Sequence, residues 1–184
     1  MKPIPTKTLL FSFETILNKA ELKEGHTAAD FGCGRSMFLL YALSNMVGKN
    51  GKVYGVDILP EIIASVDREI KHHNLVSITP VLGNLDIKNG IKIPDEHIDR
   101  GFIVNTMHQS SNTVNMMFES SRTIKKDGLL TIVDWEKGES PFGPHEGLRI
   151  DKEIVKDVAK IINLEVVDYF NPGSYHYGLI FRKQ

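Results

Sequence analysis

Residues 28–36 read AADFGCGRS, and the reading of this stretch decides the fold. A short apolar run over 27–31 stops at Gly32-Cys33-Gly34, and 37–46 beyond it is almost entirely apolar. A strand that breaks at two glycines and hands the chain to an apolar helix is the opening β-α unit of a parallel sheet. With no side chain at 32 or 34, the backbone can turn sharply and come close to a ligand. The free N–H groups at the start of the next helix favour an anionic group there.

Outward from that unit the alternation continues. Residues 52–57 form a second strand candidate, and Pro60 opens a helix with Ile62, Val66 and Ile70 on one face. Strands follow at 77–82 and 99–105, then a helix striped by Val114, Met117, Phe118, Ser121 and Ile124. Lys126-Asp127-Gly128 turns the chain into a strand at 129–134, and Ile150, Ile154, Val158, Ile161 and Ile162 mark a last helix. The runs 164–170 and 175–182 are joined only by Asn171-Pro172-Gly173-Ser174. That link is too short for a parallel crossover, so the two strands pair antiparallel. The expected fold is α/β, a Rossmann-like seven-stranded, mostly parallel sheet with an antiparallel last strand and helices on both faces. Between the fifth strand and the last helix, 136–147 holds three glycines and two prolines and reads as a surface loop able to close over a site.

The 184 residues, 41% of them apolar, suit one domain spanning 1–184. Its first 24 residues read as a helical extension, because Leu9, Phe13, Ile16 and Leu17 fall at helical spacing. That apolar face can bury itself within the chain or against a second copy, which leaves a homo-oligomer open. Polar interruptions at Ser12, Glu14, Thr15 and Asn18 exclude a secretory core or a membrane span there. Lys plus Arg number 22 against 23 Asp plus Glu, a net charge of -1 that gives nucleic acid no broad basic surface. One cysteine, Cys33, rules out an internal disulfide and a multi-cysteine metal site, and the expected location is the cytoplasm.

In an open parallel sheet, ligands bind beyond the carboxyl ends of the strands, where the strand order reverses. The first strand ends in the glycine pair; the second ends at Asp57, placed to accept from the two hydroxyls of a ribose. A dinucleotide site would carry a third glycine in G-x-G-x-x-G, but that position is Met37, whose bulk opposes a pyrophosphate. S-adenosylmethionine, with one ribose and an amino-acid tail, fits a glycine loop, an acid on the second strand and an adenine slot.

At these residues the chain resembles the class I S-adenosylmethionine-dependent methyltransferases. AADFGCGRS (28–36) is similar to their first motif and GKVYGVDIL (51–59) to their second. VLGNLD (81–86) is similar to their adenine-side segment and IKKDGLLTIVDW (124–135) to their fifth-strand segment. The stretch IVDWEKGESPFGPHEGLRI (132–150) further resembles methyltransferases related to the ubiquinone and menaquinone biosynthesis group. The resemblance implies a cofactor site of Asp30, Gly32, Cys33, Gly34, Ser36, Asp57, Ile58, Asn84, Leu85 and Asn105. Within it Gly32 and Gly34 line the methionine portion, Asp57 holds the ribose, Ile58 packs on adenine, Asn84 and Leu85 face its edge, and Asn105 lies near the methionine amine. Ser36 stands where a third glycine is common and Asn84 where an aspartate often accepts from the adenine amino group; both departures bear on affinity.

The sulfonium is already activated, so the protein mainly aligns the acceptor and excludes water. An oxygen or nitrogen acceptor gains from a base, and His108, just past the fourth strand, is the candidate. A histidine in a loop also serves simply to pack or to bond a neighbouring backbone group, and that reading stays open. Trp135, His145, Arg149 and Tyr175 are candidates for the substrate pocket. No metal is expected, because Asp134 is followed by Trp135 rather than a second oxygen ligand. A small-molecule acceptor is favoured, since the Asn-Pro-Pro-Tyr type of signature is absent after the fourth strand and a lone cysteine cannot bind arsenic. Two alternatives stand beside this reading: a non-catalytic S-adenosylmethionine-binding protein on the same fold, and an NAD-dependent oxidoreductase.

Overall fold

The computed structural model describes residues 10–184. Its first helix, α1 (Phe13–Lys19), begins where the Ser12 hydroxyl accepts from Thr15 N–H, and it buries Phe13, Ile16 and Leu17. Leu9, the fourth residue spaced for that face, lies outside the described residues. The chain then alternates through β1 (Thr27–Phe31), α2 (Phe38–Val47), β2 (Lys52–Asp57), α3 (Pro60–His73) and β3 (Ile78–Leu82). It continues with β4 (Ile98–Val104), α4 (Thr113–Thr123), β5 (Ile124–Trp135), α5 (Lys152–Ile161), β6 (Leu164–Gly173) and β7 (His176–Lys183).

The seven strands lie in the order β3-β2-β1-β4-β5-β7-β6. β1 to β5 are mutually parallel, whereas β7 is antiparallel to both of its neighbours, β5 and β6. The reversed strand therefore sits inside the sheet, and β6 forms the edge. Two apolar layers cover the faces, one led by Ile16, Leu40, Leu43 and Phe102, the other by Phe31, Ile103, Met117 and Ile132. Burial on both sides is why the central strands read as continuous apolar runs.

Two helices bury only part of the stripe expected for them: Met117, Ser121, Ile124 and Val158 are buried as expected. In α4, Val114 and Phe118 are exposed, and Met116, Met117, Ser120 and Ser121 are buried. In α5, Ile154 and Ile161 are exposed, and Val155, Val158 and Ala159 face inward. In both, small residues lie in the contact, which lets the helix approach the sheet closely. Lys126-Asp127-Gly128, expected as a turn, is absorbed into the start of β5, with Asp127 at φ +61° and a register shift between Ile98 and Arg100 on β4.

β1 pairs with β2 on one side and β4 on the other, so the strand order reverses around it, and the crevice above its carboxyl end is the expected ligand position. Among the described residues no helix is long and apolar enough to cross a membrane.

Candidate active site

The turn after β1 is built by two glycines in the left-handed region, Gly32 at φ +88° and Gly34 at φ +58°. A Cβ on Gly32 would overlap the Thr106 side chain, so the β1 and β4 ends touch only because 32 lacks one. A Cβ on Gly34 would meet nothing within 4 Å, so its open side faces free space. Asp57, at the end of β2, ties this turn down: one carboxylate oxygen accepts from Gly34 N–H and the other from Leu59 N–H, each at 3.0 Å. Each oxygen keeps a second lone pair for a ligand hydroxyl.

These elements enclose a cleft of about 580 Å³. Gly32, Cys33, Gly34, Ser36, Asp57, Ile58, Asn84, Leu85 and Asn105 all line it. Asp30 does not; it is buried beneath the turn, 3% exposed, and desolvation, helped by the neighbouring Asp57 charge, pushes its carboxyl up to about 7. Asn105 holds φ +55°, uncommon outside glycine, and its Oδ1 is buried without a partner among the described residues. Asn84 Oδ1 accepts from Asp86 N–H at 2.9 Å, closing the turn after β3. Cys33 is buried, and its thiol is pushed up by burial first and by Asp30 and Asp57 next, which makes it unreactive.

Motif reading left out part of this cleft. Asp86, Thr106 and Ser110 line it too. Asp86 accepts from both hydroxyls of Ser110 and Ser111 and from Ser111 N–H, so it joins the loop after β3 to the start of α4. The acid in VLGNLD was the available signal, but its partners lie 24 and 25 residues away.

His108 does not itself line the cleft; it lies in a short 3-10 turn, Met107–Gln109, between the cleft-lining Thr106 and Gln109. Its Nδ1 is 3.0 Å from Oδ1 of Asp134, a fully buried carboxylate that also accepts from Met107 N–H and Trp135 N–H. The other ring nitrogen, Nε2, has no hydrogen-bond partner among the described residues, and the side chain is 13% exposed. A neutral imidazole whose Nδ1–H is held by a carboxylate presents its lone pair at Nε2.

The four substrate-pocket candidates do not line the 580 Å³ cleft. Trp135 is 6% exposed, with the His176 ring 4.1 Å away and Gly143 so close that a Cβ there would fall 2.6 Å from the indole. Arg149 is 5% exposed and donates to the carbonyls of Glu136, Gly138, Phe142 and Pro144, so its guanidinium is taken up by the loop that 136–147 was expected to form. His145 caps a one-turn helix through Gly147 N–H, and with Arg149 it borders a separate depression of about 290 Å³. Tyr175 packs edge-on against Phe142 at 5.7 Å. His176, which motif reading passed over, lies between Phe11 and Trp135; both its ring nitrogens are buried without partners among the described residues, and burial lowers it to about 4.

A family model described as a methyltransferase domain matches residues 22–169. The chain belongs to the methyltransferase-domain family. Its fold is that of the class I methyltransferases, whose methyl donor is S-adenosylmethionine, and this membership sets the NAD reading aside. A SAM-dependent methyltransferase from Aquifex aeolicus superposes on this family member with a TM-score of 0.87 at 29% identity, covering 97% of this chain and 93% of that one. The demethylmenaquinone methyltransferase of Lactobacillus johnsonii is 25% identical over 155 residues, 82% of this chain and 60% of that protein. The (S)-coclaurine N-methyltransferase of Thalictrum flavum is 26% identical over 119 residues, 65% of this chain and 31% of that protein. The chain thus spans only part of the length of these two curated relatives.

Proposed function

We propose that this methyltransferase-family chain transfers a methyl group from S-adenosylmethionine to a small-molecule acceptor. The observation that carries the reading is the cleft at the strand-order reversal, where one wall offers Asp57 to a pair of hydroxyls and the other offers the buried, unpartnered Oδ1 of Asn105 to an ammonium. Asp30 adds a buried carboxyl under the same turn, and the open side of Gly34 admits a chain without side-chain obstruction. These groups match a ribose and an amino-acid tail, while Ile58 and Leu85 supply apolar contact for a purine.

When bound, S-adenosylmethionine supplies a methyl group on a sulfonium already activated toward displacement. Asp57 holds the ribose hydroxyls, the glycine turn and Asn105 hold the amino-acid end, and Asn84 with Leu85 borders the purine. His108, which lies next to the cleft-lining Gln109 without lining the cleft itself, serves as base for the acceptor. A small acceptor is favoured by the chain's near-neutral charge.

Calorimetric titration with S-adenosylmethionine, S-adenosylhomocysteine and NAD tests the site. Micromolar binding of the first two, lost in Asp57→Ala, is expected; a folded protein that binds neither rejects the assignment. Transfer of labelled methyl from S-adenosylmethionine to a metabolite extract then separates an enzyme from a non-catalytic binder.

A further inference from the structure

Asp134 stands outside the cofactor cleft, and holding S-adenosylmethionine gives it no task. It is fully buried, it lies at the carboxyl end of β5, and three donors converge on it: Met107 N–H, Trp135 N–H and His108 Nδ1. Two backbone donors fix the carboxylate, so its place relative to the imidazole is set by the sheet rather than by a mobile side chain. Burial of an acid this deep is costly unless its lone pairs are filled, and here the only side-chain donor among the described residues is His108.

Resting on the methyltransferase reading above, we propose that Asp134 is a positioning residue that fixes the Nδ1–H tautomer of His108 and turns Nε2 to the acceptor. The acceptor is then one whose reacting atom carries a proton at neutral pH, a hydroxyl or a protonated amine, rather than a thioether or a thiolate. In the step, His108 Nε2 takes the acceptor's proton while the acceptor's electron pair forms the bond to the methyl carbon. The carbon–sulfur bond breaks with its electron pair going to sulfur, which leaves S-adenosylhomocysteine and an imidazolium whose Nδ1–H stays bonded to Asp134. A thioether or a thiolate has no such proton to lose, and a buried His–Asp pair would do nothing for it.

The surrounding ionisable groups agree with this assignment. His176 and Tyr177 approach from β7 and Arg149 from the loop after β5. His176, lowered to about 4 by burial, stays neutral and does not compete for the proton. Tyr177 is raised by burial and then by Asp134, so it stays protonated. Arg149 is held by four backbone carbonyls.

Nitrogen-15 NMR of the full chain, with the His108 signals assigned by their loss in His108→Gln, reads the tautomer without any acceptor. We expect the neutral ring protonated at Nδ1 in the native protein and a shift toward Nε2–H in Asp134→Asn. With carbon-13-methyl S-adenosylmethionine and a small-molecule extract, the product should carry its label on oxygen or nitrogen. The rate should fall about 10²- to 10⁴-fold in His108→Gln and Asp134→Asn, with S-adenosylhomocysteine affinity changed less than about twofold and the acidic limb of the pH profile lost. A native Nε2–H tautomer, a label on sulfur, or transfer undiminished in both variants overturns the inference while leaving the methyltransferase reading intact. S-adenosylhomocysteine binding without transfer to any fraction overturns both the catalytic reading and this one. Should Asp134→Asn fail to fold, the native tautomer and His108→Gln still decide.

Discussion

Asp30 links the cofactor site to stability through its proton. Its folded value, about 7, lies well above the ordinary aspartate value of about 3.9. Between those values the folded chain holds a proton that the unfolded chain has lost, so the contribution of Asp30 to stability is full below pH ~4 and fades as pH rises toward ~7. Thermal unfolding of the ligand-free protein is expected to show that decline. Asp30→Asn should flatten it and raise the melting temperature at pH 8, by about 2–4 °C for each kcal/mol recovered. An ammonium brought near Asp30 favours the ionised carboxyl, so S-adenosylhomocysteine binding near pH 6.5 should release protons, read as a buffer-dependent binding enthalpy that Asp30→Asn abolishes. Single residues differ in how readable they were. Gly32, Gly34 and Asp57 follow from local rules about turns and strand ends. The bond from Asp134 to His108 spans 26 residues and two strands, and no local rule places it.

At the level of elements, the loop between β5 and α5 is the clearest case of order without regular structure. Arg149 gathers it by four hydrogen bonds of 2.9–3.1 Å to carbonyls and lies 5.7 Å from the Trp135 ring. Arg149→Ala is expected to cost about 2–4 kcal/mol, because it leaves four carbonyls short of a donor. Trp135 is the sole tryptophan, so the same variant should shift the protein's tryptophan emission to the red as the loop lifts from the indole. Arg149→Lys should recover little, since an ammonium cannot reach four carbonyls in a planar fork. An unshifted spectrum in Arg149→Ala would show that Gly143 and His176 hold the ring unaided. The sequence made 136–147 recognisable as a loop by its glycines and prolines, but not the residue that organises it. An arginine just before a helix reads equally well as a ligand contact. The helix stripes of α4 and α5 were right only in part: Met117, Ser121, Ile124 and Val158 are buried as expected, but Val114, Phe118, Ile154 and Ile161 are exposed, because periodicity weighs large residues and overlooks small ones in the contact such as Ser120 and Ala159.

Across the whole molecule, the strand positions were the most legible feature, because a sheet covered on both faces writes its strands as apolar runs between glycines. Their order was legible only in part. The short link after residue 170 required an antiparallel pair, but it left open which strand would lie at the edge. Hydrogen exchange should report the outcome: amides of β1, β4 and β5, each flanked by strands on both sides, should be protected most, and those of β3 and β6, at the two edges, least. Equal protection of β6 and β4 would contradict the order given above. The position of β7 between β5 and β6 also bears on how the chain is made. As synthesis proceeds, β1 through β5 can assemble side by side, but β6 emerges before it has any strand to pair with, and its only neighbour is the one made after it. Until 176–183 is complete and threads into that gap, β5 keeps an open edge of apolar residues, a surface that invites a second nascent chain and makes these late residues the ones on which escape from aggregation depends.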